Sequence, residues 1–195
     1  MSDILKYGQG ILFMKVGTHA DEPLEEIIAR KIREIDSAGY AMWGYGGNTC
    51  HPTSIVQPFA RDYTIGKNNI YLCMQSMESK HFAAPKRAEK YSIDGVKWED
   101  IPKGVNVLGS RYALVIKNLE DITKNPLKLD LKTTEVAEGP SMGKTGKKYI
   151  QGRVDKACLK IKEHSCESGD TENTEDIIKI SLIANIVKPY AVFVK

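Results

Sequence analysis

The fourteen residues from Gly39 to Pro52 hold the densest set of chemically useful side chains in the sequence. Tyr40, Trp43, Tyr45, Asn48, Cys50 and His51 are interleaved with Gly39, Gly44, Gly46 and Gly47. Glycines where a strand ends let backbone approach a ligand closely and leave N–H groups free to meet an anion. Trp43 and Tyr45 are stacking platforms for a nucleobase. Asn48 presents both donors and an acceptor to a base edge, and Gln57 adds a second amide a few residues on. Cys50 and His51 are a nucleophile and a base by type. Neighbouring residues of a strand point to opposite faces, so this pair favours binding over covalent catalysis.

His51-Pro52-Thr53 fits the H-x-T element of two-histidine phosphoesterases, whose chemistry needs a second such element to supply the acid. The other histidines stand in His19-Ala20-Asp21, His81-Phe82-Ala83 and His164-Ser165-Cys166, and none provides it. His19, Glu22, Cys50 and His51 are ligand types for a metal. However, Asp21 and Glu22 at a helix start are better explained by favourable interaction with the helix dipole, so no metal is expected. Gly139 to Thr145 resembles a P-loop but has three residues, not four, before its Gly-Lys-Thr. The residues after it read as strand, where a P-loop must open a helix. The charge there still suits a phosphate: Lys144, Lys147, Lys148, Arg153, Lys156, Lys160 and Lys162 crowd one expected hairpin. Lys86 and Arg87, in a basic loop over 80–94, are a second candidate anion contact.

These groups must be positioned by a scaffold of 195 residues, 42% hydrophobic and 27% charged, which is enough for one domain over 1–195. A net charge of +3 does not by itself demand a nucleic-acid or membrane partner. The N-terminal residues lack the basic and apolar regions of a signal peptide, and no apolar run is long enough to span a bilayer. Four widely spaced cysteines without a CxxC suggest reduced thiols and a cytoplasmic protein.

Helical spacing of Leu24, Ile27, Ile28, Ile32 and Ile35 predicts one main helix over residues 22–38. Thr18 or Asp21 is its expected cap, Gly39 its stop, and Glu25, Glu26, Arg30, Arg33 and Glu34 its solvated face. Strands are expected at 11–16, 40–43, 70–77, 111–117, 127–131, 149–161, 177–187 and 190–194. The acidic stretch 163–176 reads as a mobile hairpin tip. The sum is an α+β fold with a mostly antiparallel, strongly bent sheet or a partly open β-barrel.

The β-rich second half with its basic hairpins is similar in architecture to the PUA, ASCH and EVE group of small barrels. That resemblance implies an RNA- or modified-base-binding module as one alternative. The residues themselves favour a binding protein for a nucleotide-like, phosphate-bearing ligand, in one form a protein that sequesters a nucleotide signal. Its expected site is Trp43, Tyr45, Gly46, Gly47, Asn48, His51, Gln57, Arg87, Lys144, Lys147 and Arg153. No cofactor is expected, and a homo-oligomer paired through a lysine-edged sheet is compatible with the pattern. A nucleotide hydrolase using His51 and Cys50 is the remaining alternative.

Overall fold

The computed structural model describes residues 4–46, 49–81, 83–150, 154–162 and 176–195. Among the described residues there are eleven strands: β1 (Gly10–His19), β2 (Ala41–Tyr45), β3 (Ile70–His81), β4 (Lys90–Ser92), β5 (Glu99–Asp100), β6 (Tyr112–Asp121), β7 (Leu127–Asp130), β8 (Thr134–Val136), β9 (Lys156–Ile161), β10 (Ile177–Ile180) and β11 (Leu182–Val194). Helix α1 (Leu24–Ala38) follows β1. A π-helical turn (Pro52–Val56) leads into α2 (Gln57–Thr64), and α3 (Gly146–Ile150) precedes β9. The main sheet runs β2-β6-β11-β3-β1-β9-β8, with β4 and β5 added beside β11. It is mixed but mostly antiparallel. Among the described residues only β1 and β3 pair in parallel, and they are joined through α1, β2 and α2, as a parallel pair requires a long crossover. The sheet path ends at β2 and β8 and is not closed.

Alternation along the strands sorts the core into two faces. Leu12, Met14 and Val16 of β1 join Leu72 and Met74 of β3, Trp43 and Tyr45 of β2, and Leu114 and Ile116 of β6, under α1 and α2. Ile11 and Phe13 face the other way, with Leu159 of β9. They are covered by a separate two-stranded sheet of β7 and β10 and by Ile150 of α3. At the β2–β6–β11 end that second face carries Met42, Val115 and Val192, covered by Val105 and Val107.

The expected alternation of Leu127 and Leu129 with Lys128 and Asp130 produces β7, paired antiparallel with β10. Other expectations are corrected. The helix begins at Leu24, with Pro23 at its N-cap and no side-chain cap from Thr18 or Asp21. Gly39 closes it as expected, at φ 82° with its N–H donating to Ile35 O. Residues 149–161 are not one strand: a helical turn ends at Ile150 and β9 starts at Lys156. Residues 177–187 are not one strand either. The ladder to β7 stops at Ile180, and Ser181 turns its hydroxyl onto Ser76 of β3 at 2.5 Å, starting β11 in the main sheet. Strand β11 then runs through Pro189, with residues 187–190 standing out of its ladder with β6. Of the acidic stretch 163–176, only Asp176 is among the described residues.

Candidate functional site

On the α1 face of the sheet a cleft of about 610 Å³ opens between β1, β2, α1 and the loop before β6. This lies within the range of small-molecule sites. Met14, Val16, Ile27, Trp43 and Val107 give it an apolar floor and wall. Gly44, Tyr45, Gly46 and Thr49 form the β2 rim, and Lys156, Asp155, Arg30, Lys31, Glu22 and His19 supply the polar groups.

Helix α1 builds one wall through charged side chains. Arg30 donates to both carboxylate oxygens of Glu22, at 2.9 and 2.5 Å, and to Glu34 Oε1 at 3.2 Å. Lys31 Nζ donates to both oxygens of Glu34, at 3.1 and 2.9 Å. The network then grips the backbone opposite: Asn106 O accepts from Arg30 and from Lys31, each at 2.6 Å, and Asn106 N–H donates to Glu34 Oε1 at 3.1 Å. A loop peptide without a strand partner is thus satisfied by three helix side chains, as buried backbone must be. Lys31 and Glu34 are each 2% exposed. Burial pushes the Lys31 ammonium down to about 8, against the opposing pull of Glu34. The hydrogen bond from Arg30 holds the Glu22 carboxyl below its ordinary value. The expected solvated face of α1 is therefore wrong at Glu34, which is core, while Ile32 is 38% exposed.

The loop wall is fastened at its other end by His19, whose Nε2 lies 3.1 Å from Gly109 O and 3.2 Å from Leu108 O. That distance pair makes Nε2 the proton-bearing nitrogen. Gly109 has φ 56°, and a Cβ there would stand 2.9 Å from Ala84 O and 3.0 Å from Ala20 Cβ, so no other residue fits this close approach. Glu22 is committed to Arg30, and its backbone pairs with that of His19 in a tight turn.

Of the residues expected in the site, Trp43, Tyr45 and Gly46 line the cleft together. Trp43 and Tyr45 are only 3% and 2% exposed, so they offer it an edge and not an open stacking face. The Tyr45 hydroxyl donates to Cys50 O at 2.5 Å, which ties Cys50 back to β2. His51 lies outside the cleft lining, with Nδ1 3.1 Å from the Tyr112 hydroxyl. Gln57 donates to Ala191 O at 2.8 Å and Ile93 O at 3.2 Å, tying α2 to β11. Arg87 is exposed, and its backbone bridges to Leu108 behind the loop wall. Lys144 and Lys147 sit on the other side of the sheet's β8 edge, Lys147 paired with Asp176 at 2.9 Å and Lys144 near Ser141 at 3.4 Å. Gly47, Asn48 and Arg153 lie outside the described residues.

The sequence reading placed Lys156 in a phosphate-suited basic cluster without counting it in the site, and it left out Lys31 and Glu34. Lys156 begins β9 opposite Met14 and shares the face of Cys158, toward α1. It is 6% exposed, and its Nζ is 3.1 Å from Asp155, whose side chain is 49% exposed. Cys50 and Cys158 are both buried in this core with their thiols in contact, and burial lifts the Cys158 thiol well above its ordinary value. Among the described residues, no helix is long and apolar enough to cross a membrane. Comparison of the chain with protein-family models, curated proteins and solved structures returns no match.

Proposed function

We propose that the cleft under α1 binds a nucleotide-like, phosphate-bearing small molecule, and that the protein acts by holding this ligand. The carrying observation is the combination in one cleft of an apolar floor with Lys156, a buried cation whose partner is a partly solvated carboxylate. A base or similar flat group would lie on Met14, Val16 and the edge of Trp43, and a phosphate would replace water around Lys156. The strongly bent sheet belongs to the same reading. Met14 of β1 and Trp43 of β2 are four strands apart, about 19 Å in a flat sheet, yet both line this cleft.

Binding is favoured over the hydrolase reading by the placement of Cys50 and His51. The first is 3% exposed and packed on Cys158, and the second is paired with Tyr112 away from the cleft. A nucleic-acid surface is less favoured, because Lys132 and Lys147 share Asp176 and Lys162 pairs with Glu135.

The test is thermal unfolding in the presence of nucleosides and linear and cyclic nucleotides. A ligand at about 100 times its Kd adds about 2.7 kcal/mol, which for a chain of this size raises Tm by roughly 5–11 °C. Gly46→Trp places a large ring at a position where a Cβ meets nothing within 4 Å, beside the cleft. It should leave the ligand-free Tm within about 2 °C and remove the shift. If no compound in the panel moves Tm, the reading is wrong.

A further inference from the structure

Resting on that reading, the charges around the cleft say what kind of phosphate it takes. Among the described residues, the cations whose side chains face it are Arg30, Lys31 and Lys156, and the carboxylates are Glu22 and Asp155; Lys15 borders it from β1 but stands between Met14 and Val16 and so turns to the opposite face. Glu34 stands directly behind, bonded to both Arg30 and Lys31. Three positive side chains, Arg30, Lys31 and Lys156, thus stand against three negative ones, Glu22, Asp155 and Glu34.

These charges are not equally available. Arg30 divides its guanidinium among Glu22, Glu34 and Asn106 O, and Lys31 spends its three donors on Glu34 and Asn106 O. Drawing either toward a ligand would strip the loop wall of the bonds that hold it. Lys156 is different, because its carboxylate partner, the adjacent Asp155, is half in water and can be rehydrated when a ligand oxygen takes its place. Among the described residues, the cleft thus has one cation to offer, Lys156.

We infer that the ligand's phosphate is a diester carrying a single negative charge, held by Lys156, so that the preferred ligands are cyclic or internally bridged nucleotides. A phosphomonoester brings close to two charges at neutral pH and a triphosphate more. The excess would have to be desolvated beside Glu22 and Asp155 without a further free cation, among the described residues, to meet it. The apolar floor rewards the base in either case, so the discrimination falls on the phosphate alone. Arg30, Lys31 and Glu34 are positioning residues, shaping the cleft through Asn106.

Isothermal titration calorimetry at one fixed ionic strength tests this with four probes of the same base: the 3′,5′-cyclic monophosphate, the 5′-monophosphate, the 5′-triphosphate and the uncharged nucleoside. The cyclic diester should bind at least tenfold more tightly than the monophosphate and the triphosphate, and more tightly than the nucleoside. Lys156→Gln should reduce its affinity to that of the nucleoside. Asp155→Asn, at a half-exposed position, adds one net positive charge and should improve the monophosphate severalfold relative to the diester. Tighter binding of the monophosphate or triphosphate by the unaltered protein would overturn the diester inference and leave the nucleotide reading standing. Equal affinity for diester and nucleoside would overturn the inference and the phosphate contact of the proposed function with it, leaving only binding of the base. Failure of all four probes to bind would overturn both. Should Lys156→Gln not fold, the Asp155→Asn preference decides: no change in the ratio of monophosphate to diester affinity sinks the inference.

Discussion

Glu34→Gln tests whether the buried charge network of α1 is the strut that this geometry makes it. The substitution keeps the shape of the side chain and one acceptor for Asn106 N–H. It removes the negative charge that Lys31 and Arg30 share at 2.9 and 3.2 Å. In the unaltered protein, burial holds Lys31 at about 8 against an ordinary 10.5, so at pH 7 the ammonium is still charged in the folded state. Without Glu34 the main pull against burial is gone, and Lys31 folds in its neutral form. Deprotonating it at pH 7 costs about 5 kcal/mol, against about 3 already borne by the charged form, so titration alone accounts for about 1–2 kcal/mol. Lost charge-assisted hydrogen bonds from Lys31 and Arg30 bring the total to about 3 kcal/mol, the lower end for breaking a buried pair.

The pH dependence separates the two contributions. Because the folded-state value of Lys31 is depressed, the unfolded chain binds more protons between about 8 and 10.5, and this group's contribution to stability rises with pH across that window. At pH 9 Lys31 is neutral in both folded proteins, so the part of the difference due to titration vanishes. Urea unfolding at pH 7, 8 and 9 should therefore show the destabilisation by Glu34→Gln shrinking by about 1–2 kcal/mol. Effects of the cysteines on the absolute pH profile cancel in this comparison. A destabilisation below about 1 kcal/mol at pH 7, or one independent of pH, would refute the strut.

Two further substitutions test the local geometry. Tyr45→Phe leaves Cys50 O unpaired in the core and should cost about 1–3 kcal/mol in urea unfolding. A cost near zero would mean that Cys50 is held by something other than this hydroxyl. A Cβ at Gly146 would fall 1.9 Å from Thr134 Oγ1, so Gly146→Ala should destabilise by about 2 kcal/mol or more. Thr134→Ala in the same chain should recover part of that loss, and a double-mutant cycle showing simple additivity would contradict the contact.

Much of the frame was written locally in the sequence. The spacing of Leu24, Ile27, Ile28 and Ile35, with Gly39 after them, defines α1 because helix periodicity and a left-handed stop act over a few residues. Leu127 and Leu129 define a half-buried strand by the same short-range logic. The burial of Lys31 was legible too. At 100° per residue it falls between Ile27 and Leu24, at the centre of the apolar arc, whereas Ile32 falls at its border. Residue type argued against that position, and the angular count was the better guide.

What the sequence could not carry was partnership at a distance. Trp43 looked like a free stacking surface because nothing near it in the chain shows the strands that cover it. Gln57 looked like a base reader because its true acceptors, Ala191 O and Ile93 O, are 134 and 36 residues away. Lys156 was one lysine among many in a basic run until β9 paired with β1 and turned it beneath α1, beside Met14. A strand's alternation says that neighbours face apart. Only the order of strands in the sheet decides which of those faces becomes a cleft.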